Sequence, residues 1–373
     1  MLKLKTLFIF GTRPEAIKLA PLVRELEKSE GFDVRVCITA QHRGMLDQVL
    51  EFFRVRADYD LDIMRDNQSL SDITVKCLEG IKSVFAEYLP DIIIVQGDTT
   101  TTFAGALAGY YEKIRVVHIE AGLRSRFKYS PFPEEMNRTL TGHIADLHFA
   151  PTKEAVDNLK KEGIRKNVYL VGNTVIDALF EGLRIISENE KFYGEFFRTV
   201  DFSKRIILVT GHRRESFGKP FEDMCNAIRD TALKEDVEFV YPVHLNPNVR
   251  TPVKTILGGI ENVHLIEPLD YPYLIYLMNR CHIVLTDSGG IQEEAPALGK
   301  PVLVMRNVTE RMEGVRAGVA QLVGNNRENI KKGLYALLHD EEHYRRMSRA
   351  VNPYGDGTAS IKIRKIMQEI YVK

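Results

Sequence analysis

Short apolar runs alternate with longer amphipathic stretches along the whole chain, and this order constrains the fold more than any other feature. The runs are nearly continuous in Val, Ile and Leu, which is typical of strands covered by helices on both faces of a sheet. Neighbouring strands of this kind are parallel, because a helix returns the chain to the same end of the sheet. The sequence therefore predicts an α/β fold with doubly wound parallel sheets.

The alternation comes in two series, which indicates two domains. The first series predicts strands at 4–10, 33–39, 91–96, 115–119, 147–150 and 168–171, and helices at 14–29, 44–53, 69–88, 101–112, 134–144 and 152–162. After a helical and then charged, aromatic stretch at 174–200, the second series predicts strands at 205–210, 237–243, 262–266, 282–286, 301–305 and 319–323. Because 373 residues are too many for one ordinary core, we expect Rossmann-like domains over 1–171 and 172–357. A C-terminal helix of about 358–373 is free to pack back on the first domain.

Composition excludes several classes of function. Lys plus Arg equals Asp plus Glu at 51 each, which gives no indication of a nucleic-acid or membrane partner. No apolar run approaches the roughly 20 residues that span a bilayer, and the first ten residues are too short for a signal peptide. The four cysteines are far apart in apolar runs, which is typical of reduced core cysteines. We therefore expect a cytoplasmic protein.

The common cofactor fingerprints are missing from the sequence. No G-x-G-x-x-G follows a predicted strand, so bound NAD is not indicated. There is no H-E-x-x-H or C-x-x-C motif for a metal, no phosphate-binding P-loop and no G-x-S-x-G nucleophile motif. The sequence predicts neither a cofactor nor a metal.

Unusual polar residues instead follow the ends of predicted strands in both domains. Ligands of doubly wound sheets bind outside the carboxyl ends of the strands. We therefore expect the active site in a cleft between the two domains.

The stretch 286–301 combines an anion-binding backbone with anionic side chains. Gly289 and Gly290 allow close approach of a ligand to a helix N-terminus, and Ser288 fits either a helix cap or a phosphate donor. Glu293 and Glu294 are predicted in the first helical turn, where acids offset the helix dipole. A carboxylate there also fits ribose hydroxyls, so the stretch is predicted to bind the phosphate and the ribose of one nucleotide. A tight turn without a ligand is the alternative for Ser288, Gly289 and Gly290.

Arg13 and Lys18 lie beside the first strand end, around a helix start with Pro14 at its first position. Arg13 is placed to bind a diphosphate as a bidentate partner. Solvated basic residues at a helix start are the alternative.

Three acids, Asp98, Glu120 and Glu134, follow strand ends or a rigid loop. Grouped carboxylates repel, so at least one pKa is expected to rise, as in a general acid beside a general base. Helix N-capping is the alternative for Asp98 and Glu134. It fits Glu120 less well, because an acid directly after a buried strand needs a partner.

The roles expected of three histidines depend on where each lies relative to the predicted strands. His212 follows the first strand of the second domain, where it is placed to donate to a phosphate or to move a proton. His118 lies inside an apolar strand and is predicted to be a core histidine. His244 follows another strand end without a decided role.

Taken together, the chain resembles the non-hydrolysing UDP-N-acetylglucosamine 2-epimerases from end to end. The motifs that carry the resemblance are FGTRPEAIKLAPL, TAQHRGMLDQVL, QGDTTTTFAGALAGYY, HIEAGLRS, PFPEEMNR, VGNTVID, TGHRRESFG, YPVHLNPNVR, LTDSGGIQEEAPALGKPVLVMR, TER and NPYGDG. The resemblance implies two Rossmann-like domains in the glycosyltransferase-B arrangement, a homodimer, and interconversion of UDP-N-acetylglucosamine and UDP-N-acetylmannosamine.

The resemblance also assigns roles to residues of this chain. It implies that Asp98, Glu120 and Glu134 are the catalytic acids and that Arg13, Lys18, His212 and Arg311 contact the diphosphate or the sugar. It places the phosphate at Ser288, Gly289 and Gly290, the ribose at Glu294, and the uracil near Leu269 to Leu274. Some bacterial members bind a second, activating UDP-N-acetylglucosamine near the AQHR segment, but Gly44 and Asn67 depart from the regulated members.

The implied chemistry suits these residues. The hydrogen on sugar carbon 2 is not acidic, so elimination of UDP across carbons 1 and 2 is more plausible than simple deprotonation. The acids supply the base, and Arg13, His212 and the helix N-terminus stabilise the departing diphosphate. A closed cleft then retains the unsaturated sugar until UDP adds back.

Three alternatives remain at the level of the sequence. A hydrolysing relative would share the site and release free N-acetylmannosamine and UDP, although the GTRPE and GDTTT motifs favour the non-hydrolysing type. A glycosyltransferase would need an acceptor groove. A non-catalytic nucleotide-sugar sensor should lack one of the three acids.

Overall fold

The computed structural model describes residues 3–40, 43–65, 67–213 and 217–372. By their internal contacts these residues form two compact units, unit 1 (Met1–Glu181 with Tyr354–Lys373) and unit 2 (Gly182–Pro353). Residues 41–42 and 214–216, which belong to two of the quoted motifs, lie outside the described residues.

Unit 1 is built on a parallel sheet with the strand order β3-β2-β1-β4-β5-β6-β7. Its strands are β1 (Leu4–Phe10), β2 (Phe32–Ile38), β3 (Tyr59–Asp60), β4 (Ile92–Gln96), β5 (Arg115–Ile119), β6 (Leu147–Ala150) and β7 (Val168–Leu170). Its helices are α1 (Arg13–Glu27), α2 (Arg43–Phe53), α3 (Leu70–Glu87), α4 (Thr100–Tyr111), α5 (Glu134–Ile144), α6 (Lys153–Lys161), α7 (Thr174–Ser187), which runs on into unit 2, and α16 (Ala359–Tyr371).

Unit 2 is built on a second parallel sheet with the order β10-β9-β8-β11-β12-β13. Its strands are β8 (Arg205–Thr210), β9 (Val237–Pro242), β10 (Val263–Ile266), β11 (Ile283–Thr286), β12 (Val302–Val304) and β13 (Ala320–Leu322). Its helices are α8 (Glu190–Phe196), α9 (Lys219–Ala232), α10 (Pro247–Leu257), α11 (Tyr271–Arg280), α12 (Gly289–Ala297), α13 (Met312–Arg316), α14 (Arg327–His339) and α15 (Glu341–Arg349).

The predicted α/β fold with parallel doubly wound sheets is confirmed, and each predicted strand lies within a residue or two of an observed one. The sequence missed β3, which has two residues and pairs only with the end of β2. The strands of both sheets supply much of the buried core, and Cys37, Cys77, Cys225 and Cys281 are buried and unpaired, as predicted. No helix among the described residues has the length and apolar character needed to cross a membrane.

Strand order identifies the binding edge of each sheet. In unit 1 the order reverses direction between β1 and β4, and in unit 2 it reverses between β8 and β11. Such switch points leave a crevice outside the carboxyl ends of the two strands, where ligands bind. The loops that follow these strands, with the helices they enter, carry the candidate residues Arg13, Lys18, Asp98, His212, Ser288, Gly289, Gly290 and Glu294.

Candidate active site

Glu120 is the centre of a polar cluster in unit 1. It follows β5 in the left-handed region, with φ +60°, and is only 7% exposed. Lys18 Nζ lies 2.7 Å from both carboxylate oxygens. Gln96 Nε2 also donates to Oε2, and Asn173 Nδ2 donates to Oε1 at 3.1 Å. A cation and two amide donors around one carboxylate favour its ionised form.

Asp98 is the second acid of this cluster. Arg138 Nη2 lies 2.7 Å from its Oδ2. The pKa of Asp98 is raised, chiefly because burial disfavours the charged carboxylate; Arg138 opposes the shift, while Glu120 and Glu134 add to it by repulsion. The expected rise of one pKa is thus confirmed at Asp98, but burial contributes more than the neighbouring acids. The cap of α4 is Thr99, not Asp98.

Glu134 and Glu135 begin α5 and have different surroundings. Glu135 accepts hydrogen bonds from the backbone N–H groups of Ser125 and Arg126 at 2.9 and 2.8 Å, so it anchors the loop before the helix. Glu134 Oε2 is buried and has no hydrogen-bond partner among the described residues. Pro133 occupies the N-cap position, so capping does not explain Glu134.

Arg13 is the first residue of α1, and Pro14 therefore stands at the second helical position, not the first as predicted. Arg13 is partly buried and forms no ion pair with any of the described residues. It is therefore available to an anion. Lys18, one turn further along, is instead engaged by Glu120.

Glu15 ties the first strand-end loop to the loop after β4. Its carboxylate is 1% exposed and accepts hydrogen bonds from Thr12 Oγ1 and Thr99 Oγ1, both at 2.8 Å, and from Thr102 Oγ1 at 3.0 Å. It also accepts from the Gly11 and Thr12 backbone N–H groups, completing a capping box. Glu15 fixes the position of Arg13 relative to Asp98.

His118 is a core histidine, as predicted. Its Nε2 donates to the carbonyl oxygen of Gly97 at 2.8 Å, and the side chain is fully buried. Burial lowers its pKa to about 3, so the ring is neutral at physiological pH.

Asp287 organises the corresponding edge of unit 2. Its Oδ2 accepts from the backbone N–H groups of His212 and Arg213 at 2.8 and 2.9 Å. Its Oδ1 is buried, has no hydrogen-bond partner among the described residues, and lies 3.7 Å from His212 Nδ1. The His212 ring stacks on His244, with centroids 5.4 Å apart. Partial desolvation, which the charge of Asp287 opposes, lowers the pKa of His212, although its side chain remains 48% exposed.

The Ser-Gly-Gly turn is the start of α12. Ser288 stands at the N-cap position without a side-chain capping bond, so its hydroxyl is not used by the helix. An added Cβ at Gly289 would lie 3.2 Å from Glu310 Oε1, and one at Gly290 would lie 3.8 Å from Glu294 Oε2. Backbone N–H groups at such a helix start are placed to bind an anion.

Glu293 and Glu294 lie in the second turn of α12, because the helix begins at Gly289. The prediction that they sit in the first turn and offset the dipole is therefore wrong. Glu293 is buried and pairs with Arg311. Glu294 accepts a hydrogen bond from the buried Tyr271 hydroxyl at 2.9 Å.

The predicted uracil segment, Leu269 to Leu274, covers the end of the loop after β10 and the first turn of α11. Leu269 and Leu274 are both partly buried, and Asp270 between them is the N-cap of α11 without a side-chain capping bond. The described residues hold no group of three or more His, Cys, Asp or Glu side chains arranged to bind a metal.

Sequence reasoning missed four residues of these clusters. Glu15, Gln96, Asn173 and Asp287 are buried. Gln96 and Asn173 contact Glu120, Asp287 contacts His212, and Glu15 contacts Thr12 and Thr99, the neighbours of Arg13 and Asp98. Their signal was weak: Gln96 and Asp287 stand at strand ends, but buried acids and amides in such positions are not distinguishable from ordinary capping residues without the contacts.

Two doubly wound units whose strand-end loops carry acids and a glycine-rich helix start belong to the class of α/β proteins that bind ligands outside the carboxyl ends of their strands. A family model described as UDP-N-acetylglucosamine 2-epimerase matches residues 24–368. The chain belongs to the UDP-N-acetylglucosamine 2-epimerase family.

Individual relatives agree with the family match. The UDP-N-acetylglucosamine 2-epimerase of Escherichia coli strain K12 is 53% identical over 370 residues, which cover 98% of each chain. The crystal structure of UDP-GlcNAc 2-epimerase from Neisseria meningitidis bound to UDP-GlcNAc is 48% identical, covers 98% of this chain and all of that chain, and superposes with a TM-score of 0.90. Sucrose-phosphate synthase from Thermosynechococcus elongatus is 13% identical, covers 98% of this chain and 99% of that chain, and has a TM-score of 0.64, a likeness of fold alone.

Proposed function

We propose that this chain interconverts UDP-N-acetylglucosamine and UDP-N-acetylmannosamine by inverting sugar carbon 2 without hydrolysis. The observation that carries the proposal is the pair of differently held acids in unit 1. Glu120 is fixed by Lys18 and two amides, while burial raises the pKa of Asp98. Carboxyl groups with environments this different fit a base and an acid working on one carbon.

The nucleotide is assigned to unit 2. In this proposal the backbone of Ser288, Gly289 and Gly290 and the dipole of α12 bind the diphosphate. Glu294, already held by Tyr271, accepts the ribose hydroxyls. The remaining contacts are His212 and Arg311 to the diphosphate, and the segment from Leu269 to Leu274 to the uracil.

The sugar is assigned to the acids of unit 1, with Arg13 contacting the diphosphate. Departure of UDP breaks the bond from carbon 1 to oxygen, and UDP keeps the electron pair. A carboxylate of the cluster accepts the carbon-2 proton, which leaves an unsaturated sugar. UDP adds back to carbon 1 while a protonated acid of the cluster delivers a proton to the opposite face of carbon 2. The proposed catalytic residues are Asp98, Glu120, Glu134 and His212, with His212 acting on the diphosphate.

The two compact units are proposed as the functional domains, one for UDP and one for the sugar. A homodimer in the cytoplasm, acting without cofactor or metal, completes the proposal.

Product analysis tests this function against a hydrolysing 2-epimerase. Purified chain is incubated with UDP-N-acetylglucosamine and followed by proton NMR. The proposal predicts the anomeric signal of UDP-N-acetylmannosamine, approached as an equilibrium from either sugar nucleotide. Accumulation of free N-acetylmannosamine with equimolar UDP would support the hydrolysing alternative.

A further inference from the structure

Asn173 is a buried amide that contacts the central acid of unit 1. Only 2% of it is exposed, and its Nδ2 donates to Glu120 Oε1 at 3.1 Å. It lies 53 positions from Glu120 in the sequence. A polar side chain so deeply buried is costly unless its hydrogen bonds are made.

The orientation of this amide is fixed by its own neighbours. Asn173 Oδ1 accepts a hydrogen bond from the backbone N–H of Val175 at 3.1 Å. The oxygen of the amide is therefore turned toward the start of α7, and the NH₂ group is turned toward Glu120. Because folding has already fixed this donor, its hydrogen bond to the carboxylate requires no further loss of conformational freedom.

The returning C-terminal segment holds the backbone of Asn173. The backbone N–H of Asn173 donates to the carbonyl oxygen of Tyr354 at 2.6 Å. Gly355, which follows Tyr354, has a φ of +132°, a backbone conformation that favours glycine. Further along, Asp177 accepts the N–H groups of Ala359 and Ser360 at 3.2 and 2.7 Å, which fastens α16 to α7.

The titratable groups near Glu120 come from three segments of unit 1. Lys18 on α1 is the cation, Asp98 after β4 is a neighbouring acid, and His118 on β5 is kept neutral by burial. Asn173 and Gln96 are neutral donors. Because Asp98 opposes a second negative charge, each donor on Glu120 shifts the balance toward its ionised form.

We propose that Asn173 is a positioning residue that keeps Glu120 ionised and aligned during epimerisation, and that the segment around Tyr354 sets the amide in place. This inference rests on the proposed function. It gives the NPYGDG and VGNTVID motifs one shared role, which is to position Glu120. Glu120 remains the group that acts on the substrate.

The test compares the pH dependence of kcat/KM for UDP-N-acetylglucosamine in the wild type, Asn173→Ala and Asn173→Asp. Losing a donor to a carboxylate is expected to move the acid limb of the profile up by about one pH unit, with activity partly restored at alkaline pH. Asn173→Asp keeps the acceptor for the Val175 N–H and adds a carboxyl group beside Glu120. The acid limb of its kcat/KM profile should therefore move to a higher pH than that of Asn173→Ala. Because Asn173→Asp is isosteric, it decides the outcome if the alanine variant does not fold.

Asn158→Ala is the matched control. Asn158 is also a buried amide of unit 1, and it donates to the Gly122 carbonyl, not to a carboxylate. Its thermal midpoint should fall while its acid limb stays in place. Unshifted limbs in both Asn173 variants, or an equal shift in Asn158→Ala, would overturn the inference. A wild-type chain that forms no UDP-N-acetylmannosamine would overturn the proposed function instead.

Discussion

Individual side chains in unit 1 have surroundings that favour different protonation states. Glu120 is held by a cation and two amides, the partly buried Asp98 has a pKa raised chiefly by desolvation, and His118 stays neutral inside the sheet. These differences arise within a few residues of two strand ends. Burial is the largest cause of the pKa shifts of Asp98 and His118; it is opposed by the charge of Arg138 in the first and by the hydrogen bond to Gly97 in the second.

His118→Gln tests the buried histidine. The folded pKa of about 3 lies below the ordinary histidine value of 6.5, so the unfolded chain binds a proton first as the pH falls. Wild-type stability should therefore decrease below about pH 6.5, by about 1.4 kcal/mol for each pH unit until the folded pKa is reached. Glutamine can still donate to Gly97 but does not titrate, so the stability difference between the variants should narrow toward pH 5 in urea unfolding. The exposed His143→Gln is the control, and a gap that stays constant with pH would contradict the assignment.

At the scale of elements, the switch point of each sheet brings together loops that are distant in sequence. Glu15 joins the loop after β1 to the loop after β4, and Asp287 joins the loop after β8 to that after β11. Across the switch point, Glu15 accepts threonine hydroxyls in unit 1 and Asp287 accepts backbone N–H groups in unit 2. The loops that carry the candidate ligands are thus braced by acids that do not need to touch a substrate.

Glu15→Gln tests the brace in unit 1. Three threonine hydroxyls and two backbone N–H groups donate to this carboxylate, and an amide would turn an NH₂ group toward some of those donors. The free energy of unfolding should fall by about 1–3 kcal/mol. The exposed Glu342→Gln on α15, which removes a surface ion pair with Arg346, should change it by about 0.5 kcal/mol or less. Equal effects of the two substitutions would contradict a bracing role.

The elements could be predicted because strands covered on both faces have an unmistakable composition. The two residues of β3 carry no periodicity, so no pattern could find them. Asp98, Glu120 and His212 were predictable because they follow strands. Asn173 was not, because its role depends on a contact over 53 positions and on the Tyr354 segment returning to unit 1.

In the whole molecule, unit 2 is proposed to bind the nucleotide and unit 1 to act on the sugar. Unit 2 carries the helix start and Glu294 for the nucleotide, and unit 1 carries the acids for the sugar. Binding of UDP and turnover should therefore respond to different substitutions. Ground-state binding and transition-state stabilisation are separable in this way when different groups supply them.

Glu294→Ala and Asp98→Asn test the division by UDP titration calorimetry. Loss of a charged hydrogen-bonding group should weaken UDP binding roughly ten- to a hundred-fold in Glu294→Ala. Asp98→Asn should leave the Kd for UDP nearly unchanged and lower turnover by roughly a hundred-fold or more. The reverse pattern, with Asp98→Asn weakening UDP binding and Glu294→Ala leaving it intact, would contradict the assignment.

The most direct measurement of the central claim is epimerisation in heavy water. If UDP leaves and returns through an unsaturated sugar, the proton removed from carbon 2 is replaced from the solvent by way of the acids. UDP-N-acetylmannosamine formed in deuterium oxide should therefore carry deuterium at carbon 2, and recovered UDP-N-acetylglucosamine should become labelled on long incubation. Complete turnover without deuterium at carbon 2, or a requirement for added NAD, would contradict elimination and re-addition.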